Sequence, residues 1–154
     1  GNDYASALQQ AQDIGAAEAE PSFDVGGWDT AAKLVIAANQ FLDPMISLTD
    51  IDVTGIENVS VTDLQNGRRK GQSLKLIASA ERINDNWSFK VEPTVVPADS
   101  FLGSCNGWEM GVVIDSDIYG KSFYKLRENE PIPTAASVLR DAVHLAIGGR
   151  QASL

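Results

Sequence analysis

The segment from Ser73 to Val96 narrows what this chain can become more than any other. In SLKLIASAERI, Leu74, Leu76, Ala78 and Ala80 fall on alternate positions. A period of two is that of a β-strand, whose successive side chains point to opposite faces. Asn84-Asp85-Asn86 interrupts the pattern with turn-forming residues, and WSFKVEPTVV then resumes it. The two arms predict an antiparallel hairpin. A second hairpin is predicted from GWEMGVVI and IYGKSFYKL, joined by a turn at Asp115-Ser116-Asp117.

Helical spacing takes over on either side. Tyr4, Ala7, Leu8, Ala11 and Ile14 recur at three and four residues, with Asn2 or Asp3 as cap and Gly15 as stop. An acidic loop, Ala16 to Trp28, separates this helix from a second, predicted from Asp29 to Leu42 and ending before Pro44. Its apolar residues are Ala32, Val35, Ile36 and Phe41. A short strand is predicted at Ile51–Thr54, broken by Gly55. A short helix follows, capped by Ser60, with Arg68, Arg69 and Lys70 at the negative end of its dipole and Gly71 after it. A last helix starts at Pro133-Thr134, with Ala135, Val138, Leu139, Ala142, Val143 and Ala146 on one face and Gly148 past its end. Helices lead, hairpins follow and a helix closes. The expected class is α+β, a mostly antiparallel sheet with helices packed on one face. Residues 1–148 form the expected single domain and 149–154 a loose tail.

Charge and cysteine content exclude several functions. With 12 basic and 21 acidic side chains the formal charge is −9, which repels nucleic acid and anionic membrane surfaces. No apolar run approaches the roughly 20 residues of a membrane span. One cysteine, Cys105, cannot form an internal disulfide and suits a reducing, cytoplasmic setting.

The acidic loop and the helix after it carry a denser pattern. In AQDIGAAEAEPSFDVGGWDTAAK, Ala11 is followed after three residues by Gly15, then by a glutamate-containing stretch that ends at Pro21. Two residues later comes Asp24, an apolar residue, Gly27 and Asp29, and four positions on, Lys33. This resembles the signature of homoserine dehydrogenases. VTGIENVSVTDL, LKLIA, VEPTVVPADSFLGSCNG and IPTAASVLRDAV follow the order of that family's catalytic region, so the resemblance covers roughly Tyr4 to Ile147. It implies a catalytic, substrate-binding domain that interconverts L-aspartate 4-semialdehyde and L-homoserine with NAD(P). By the resemblance Lys33 is the proton donor, Asp29 holds the ammonium in place and sits beside the reacting oxygen, Glu18 binds the substrate, and Asp24 lies near its amino group. It also implies a cytoplasmic homodimer paired through the sheet of this region, and a nucleotide-binding domain that precedes it.

The residues alone leave other readings open. Asp29 and Lys33, four apart on a helix, also make a surface ion pair worth about 0.3–0.5 kcal/mol, and Asp29 also suits a helix N-cap. No strand–GxGxxG–helix unit is present to hold a dinucleotide, and the sequence does not choose between NAD and NADP. Where the family has a glycine-rich run before its last helix, this chain has KLRENEPIPTAAS, without glycine and with Glu128 and Glu130. Two carboxylates repel a pyrophosphate. The loop is turned away, or the cofactor is handled differently, or none is used. A non-catalytic amino-acid-binding or assembly module is therefore the alternative.

Other candidates read as structure. Asp115-x-Asp117 lacks the later ligands of a calcium loop and fits a hairpin turn, and no metal site is expected. His144 has no partner for a triad, and Cys105 has no basic neighbour in sequence to activate it. Trp87 and Trp108 suit strand packing. Trp28 fits equally as a pocket wall or a core aromatic.

Overall fold

The computed structural model describes residues 3–43 and 45–147, so the Pro44 and Gly148 helix boundaries and the 149–154 tail lie outside the described residues. The chain divides after Gly103 into two compact units.

The first unit is organised by the predicted hairpin. Strand β2 (Gln72–Ile83) pairs antiparallel with β3 (Asn86–Pro97) along the full length of both. Asn84 and Asp85 both take positive φ, 47° and 66°, as the two central residues of a tight hairpin turn must. The register sets Leu74 opposite Val95, Leu76 opposite Pro93, Ala78 opposite Val91 and Ala80 opposite Phe89. A two-residue strand β1 (Asp52–Val53) adds to β3 in parallel, giving the order β1-β3-β2. Thr54 N–H donates to the Val91 carbonyl at 2.7 Å and continues that contact.

Helices cover the face that carries Leu76, Ala78 and Val91. Helix α1 spans Tyr4–Asp13, with the Asp3 carboxylate accepting the Ser6 N–H at 2.8 Å. That bond holds Asp3 below its ordinary pKa. Helix α2 is a single turn, Ser22–Val25, inside what the sequence reads as loop. Helix α3 spans Trp28–Phe41. A 3-10 turn at Leu48–Asp50 precedes β1, and α4 (Val61–Arg69) precedes β2. As expected, Ser60 caps α4: its hydroxyl accepts the Asp63 N–H and the Asp63 carboxylate accepts the Ser60 N–H, both at 3.1 Å. Ala31, Ile51 and Val91 form the buried centre, with Leu34, Val35, Val53, Leu76, Ala78 and Phe89 packed around it.

The inward stripe of α3 takes in only part of the apolar set noted from the sequence. Ala31, Leu34, Val35 and Ala38 face the core, at i, i+3, i+4 and i+7, the spacing of an apolar helix face. Ile36 and Phe41, the largest of the apolar residues noted from the sequence, are 67% and 73% exposed. Two alanines in the stripe let the helix approach the sheet closely, and the two larger residues fall on its far side.

The second unit holds the second hairpin, β4 (Glu109–Ser116) with β5 (Gly120–Arg127), as a separate two-stranded sheet. Its turn lies two residues later than expected. Asp115 and Ser116 still pair with Lys121 and Gly120, and the Ser116 hydroxyl closes the loop by accepting the Tyr119 N–H at 2.9 Å. Helix α5 (Ile132–Ala146) follows; Val138, Leu139 and Val143 on its apolar side are 64%, 66% and 47% exposed. Cys105 is buried and His144 exposed. No helix among the described residues is long and apolar enough to cross a membrane.

Candidate functional site

The first 67 residues hold 11 aspartates and glutamates and one basic side chain, Lys33. The fold gathers several of these acids around the bend between α1 and α3. Helix α1 stops in a Schellman turn: Ala16 N–H donates to the Ala11 carbonyl at 2.8 Å and Gly15 N–H to Gln12 at 3.0 Å, with Gly15 at φ 73°. Ala17 N–H also reaches the Ala11 carbonyl, at 3.1 Å. Past this stop the chain passes Glu18 and Glu20, makes the single turn of α2 with Asp24, and bends at Gly26-Gly27 into α3. Gly27 is buried and is the N-cap of α3 at φ 84°, a left-handed conformation that glycine adopts without Cβ strain.

Asp29 is therefore the second residue of α3 and not its cap. In the first turn its carboxylate meets the positive end of the helix dipole. One turn on, the Lys33 ammonium donates to Asp29 Oδ2 at 2.6 Å. The two side chains are 40% and 59% exposed, so the pair stands in solvent at the mouth of the helix. Solvent screening limits its worth as a stability element to a few tenths of about 1 kcal/mol.

Glu18 and Asp24 are exposed on the approach to this pair. Their main chains are tied down: the Gln12 amide donates to the Glu18 carbonyl at 2.9 Å, and Gly27 N–H donates to the Asp24 carbonyl at 3.1 Å. The structure thus joins Asp29 to Lys33 directly, and joins Glu18 and Asp24 to that pair only through the chain that connects them. No hydrogen bond or ion pair links either carboxylate to Lys33. Trp28 opens α3, 42% exposed.

Three residues that no motif marks also belong to this region. The Glu20 carboxylate is held below its ordinary value by the Ser22 hydroxyl and then the Ser22 N–H. Glu57 arrives from the loop after β1, where Ile56 N–H donates to the Val25 carbonyl at 2.8 Å. Its carboxylate lies so close that a Cβ on Gly55 would fall 2.1 Å from Oε2 and one on Gly26 3.5 Å from Oε1. Gln12 is the third. Its hydrogen bonds span six and seven residues, which spacing in sequence does not reveal.

The family model for homoserine dehydrogenase matches residues 1–143. The chain belongs to the homoserine dehydrogenase family. It is 34% identical over 145 residues to the homoserine dehydrogenase of Methanocaldococcus jannaschii, covering 94% of this chain and 42% of that protein. It is equally similar, 34% over 143 residues, to an NAD(+)-dependent homoserine dehydrogenase of Pseudomonas canavaninivorans, of which it covers 41%. Among solved structures, a homoserine dehydrogenase from S. aureus superposes with a TM-score of 0.85 at 26% identity, over 99% of this chain and 39% of that one. A putative homoserine dehydrogenase from Archaeoglobus fulgidus gives 0.82 at 34% identity, over 94% and 43%. The chain thus spans about two fifths of the length of these relatives.

In the second unit the passage from β5 to α5 runs through Glu128 and Glu130, and the Glu128 carboxylate accepts the Thr134 hydroxyl while its N–H donates to the Trp108 carbonyl at 3.1 Å. That passage offers carboxylates where a phosphate cradle offers free backbone N–H groups.

Proposed function

We propose that this chain is the substrate-binding and catalytic region of a homoserine dehydrogenase that interconverts L-aspartate 4-semialdehyde and L-homoserine with NAD(P), in threonine and methionine biosynthesis. The observation that carries this reading is the Asp29–Lys33 pair at the start of α3, directly after a bend rich in carboxylates. The substrate carries an ammonium group, and a strongly acidic surface attracts and orients such a cation. Glu18 and Asp24 hold the ammonium. Lys33 places its own ammonium beside the aldehyde oxygen, donates a proton as charge develops there, and recovers it when the reaction runs backward. Asp29 keeps the lysine side chain along the helix and sits beside the same oxygen.

The nicotinamide cofactor supplies the hydride, and an N-terminal domain outside this chain binds most of it. Residues 1–148 act as one catalytic region with 149–154 as its tail, and this region alone is inactive. The intact protein is a cytoplasmic homodimer. Steady-state kinetics of Lys33→Ala in the intact enzyme tests the reading. Turnover falls by two orders of magnitude or about that, while KM changes little; an active enzyme whose Lys33→Ala variant turns over normally refutes it.

The Glu128-x-Glu130 passage favours a second reading, a non-catalytic module that binds an amino acid or assembles subunits. An intact protein that binds homoserine but neither NAD nor NADP in calorimetric titrations supports this second reading over the first.

A further inference from the structure

The geometry points to Gln12 as a positioning residue for the acidic bend, one that sets the place of Glu18. The inference rests on the substrate-binding reading of Glu18 given above. Gln12 lies in the last turn of α1, half-buried. Its amide nitrogen carries two N–H donors, and two carbonyls lie within reach: Glu18 at 2.9 Å and Ala19 at 3.4 Å. These belong to consecutive peptides, so one side chain fixes the orientation of both. On the other side of Glu18, the Ala17 N–H is fixed by the Ala11 carbonyl at 3.1 Å. Glu18 is therefore clamped between two points on the same helical turn, one a main-chain bond and one the Gln12 amide.

The clamp matters because of what the loop is made of. Ala16, Ala17 and Ala19 have no polar side chain that could anchor it, and Glu18 and Glu20 are like charges two residues apart. A loop of this composition does not hold one conformation unaided. A carboxylate that recognises an ammonium must stand within hydrogen-bond reach of it before the substrate arrives, or binding bears the cost of ordering the loop. Gln12 removes that cost. The residue touches neither substrate nor reacting atoms, so it acts on affinity and leaves the chemical step alone.

The test compares Gln12→Met, which keeps length and packing but removes both donors, with Gln12→Ala in the intact enzyme. Both raise KM for aspartate semialdehyde by about three- to tenfold, the effect of one or two lost neutral hydrogen bonds, with kcat within about twofold. In a Glu18→Gln background Gln12→Met adds nothing further, because the residue it positions no longer contributes. A raised KM for Glu18→Gln beside a normal KM for Gln12→Met overturns the positioning role alone. A normal KM for Glu18→Gln overturns the substrate-binding role of Glu18 and this inference with it. A drop in kcat equal to the rise in KM, or a KM effect of Gln12→Met that is undiminished in the Glu18→Gln background, also overturns it.

Discussion

Replacing Gly27 by alanine tests how the bend is held. Gly27 is buried, sits at φ 84° and caps α3. A Cβ there would stand 3.2 Å from Val91 Cγ1 and 3.3 Å from Val53 Cγ1. Val91 is 0% exposed at the centre of the core and cannot swing away. Two costs follow. A residue with a Cβ in the left-handed region is strained by about 1–2 kcal/mol, and forcing a methyl into a filled core costs about 1–3 kcal/mol. Alanine returns about 0.4–1 kcal/mol by stiffening the unfolded chain. The net destabilisation is about 2–3 kcal/mol, a fall in Tm of roughly 5–10 °C for a chain of this length. Gly15 provides the control: its φ is 73°, but a Cβ there meets nothing within 4 Å. Gly15→Ala bears only the conformational cost, about 1 kcal/mol or less. Urea unfolding followed by far-UV circular dichroism gives both values. If Gly27→Ala costs no more than Gly15→Ala, the packing of the bend against Val91 and Val53 is wrong. The same shift moves Asp29 and Lys33 relative to Glu18, so Gly27→Ala in the intact enzyme also raises KM.

Val91→Ala removes two methyl groups from a site with no exposure and destabilises by about 2–3 kcal/mol, read as a lower urea midpoint at unchanged slope; a loss below half of that would show that the hairpin core is not where α3 is anchored. The N-terminus of α4 is sensitive to acid. Asp63 is held below its ordinary value of 3.8 by the Ser60 hydroxyl and then the Ser60 N–H. A lowered folded pKa stabilises the fold fully above 3.8, and the contribution disappears as pH falls through the folded value. Amide exchange at the first turn of α4 therefore accelerates below pH 3.8, relative to the intrinsic rate, in the native chain but not in Asp63→Asn.

Much of the fold is legible in the sequence because its signals are local. Leu74, Leu76, Ala78 and Ala80 state a strand and a face by alternation alone, and the observed register puts all four against apolar or aromatic partners on β3. Ser60 with Asp63 states a helix start by spacing alone. The inward side of α3 is not legible in this way. Ile36 and Phe41 are the larger residues, yet the stripe Ala31, Leu34, Val35 and Ala38 faces the sheet; close approach of helix to strand selects small residues, a tertiary effect that residue size misleads. The site divides along the same line. The Asp29–Lys33 contact follows from a four-residue interval on a helix. The reach of Gln12 to Glu18 and of Glu57 to Gly26 depends on how a loop folds back, which no interval encodes.

In the proposed function the anionic bend seats the substrate's ammonium group beside the Lys33 amine. A crystal structure of the intact protein with bound homoserine measures it. The expected complex has the homoserine nitrogen within hydrogen-bond distance, about 3 Å, of the Glu18 or Asp24 carboxylate, with its hydroxyl as close to Lys33 Nζ. A ligand seated elsewhere, with the Lys33–Asp29 pair still facing solvent, contradicts it.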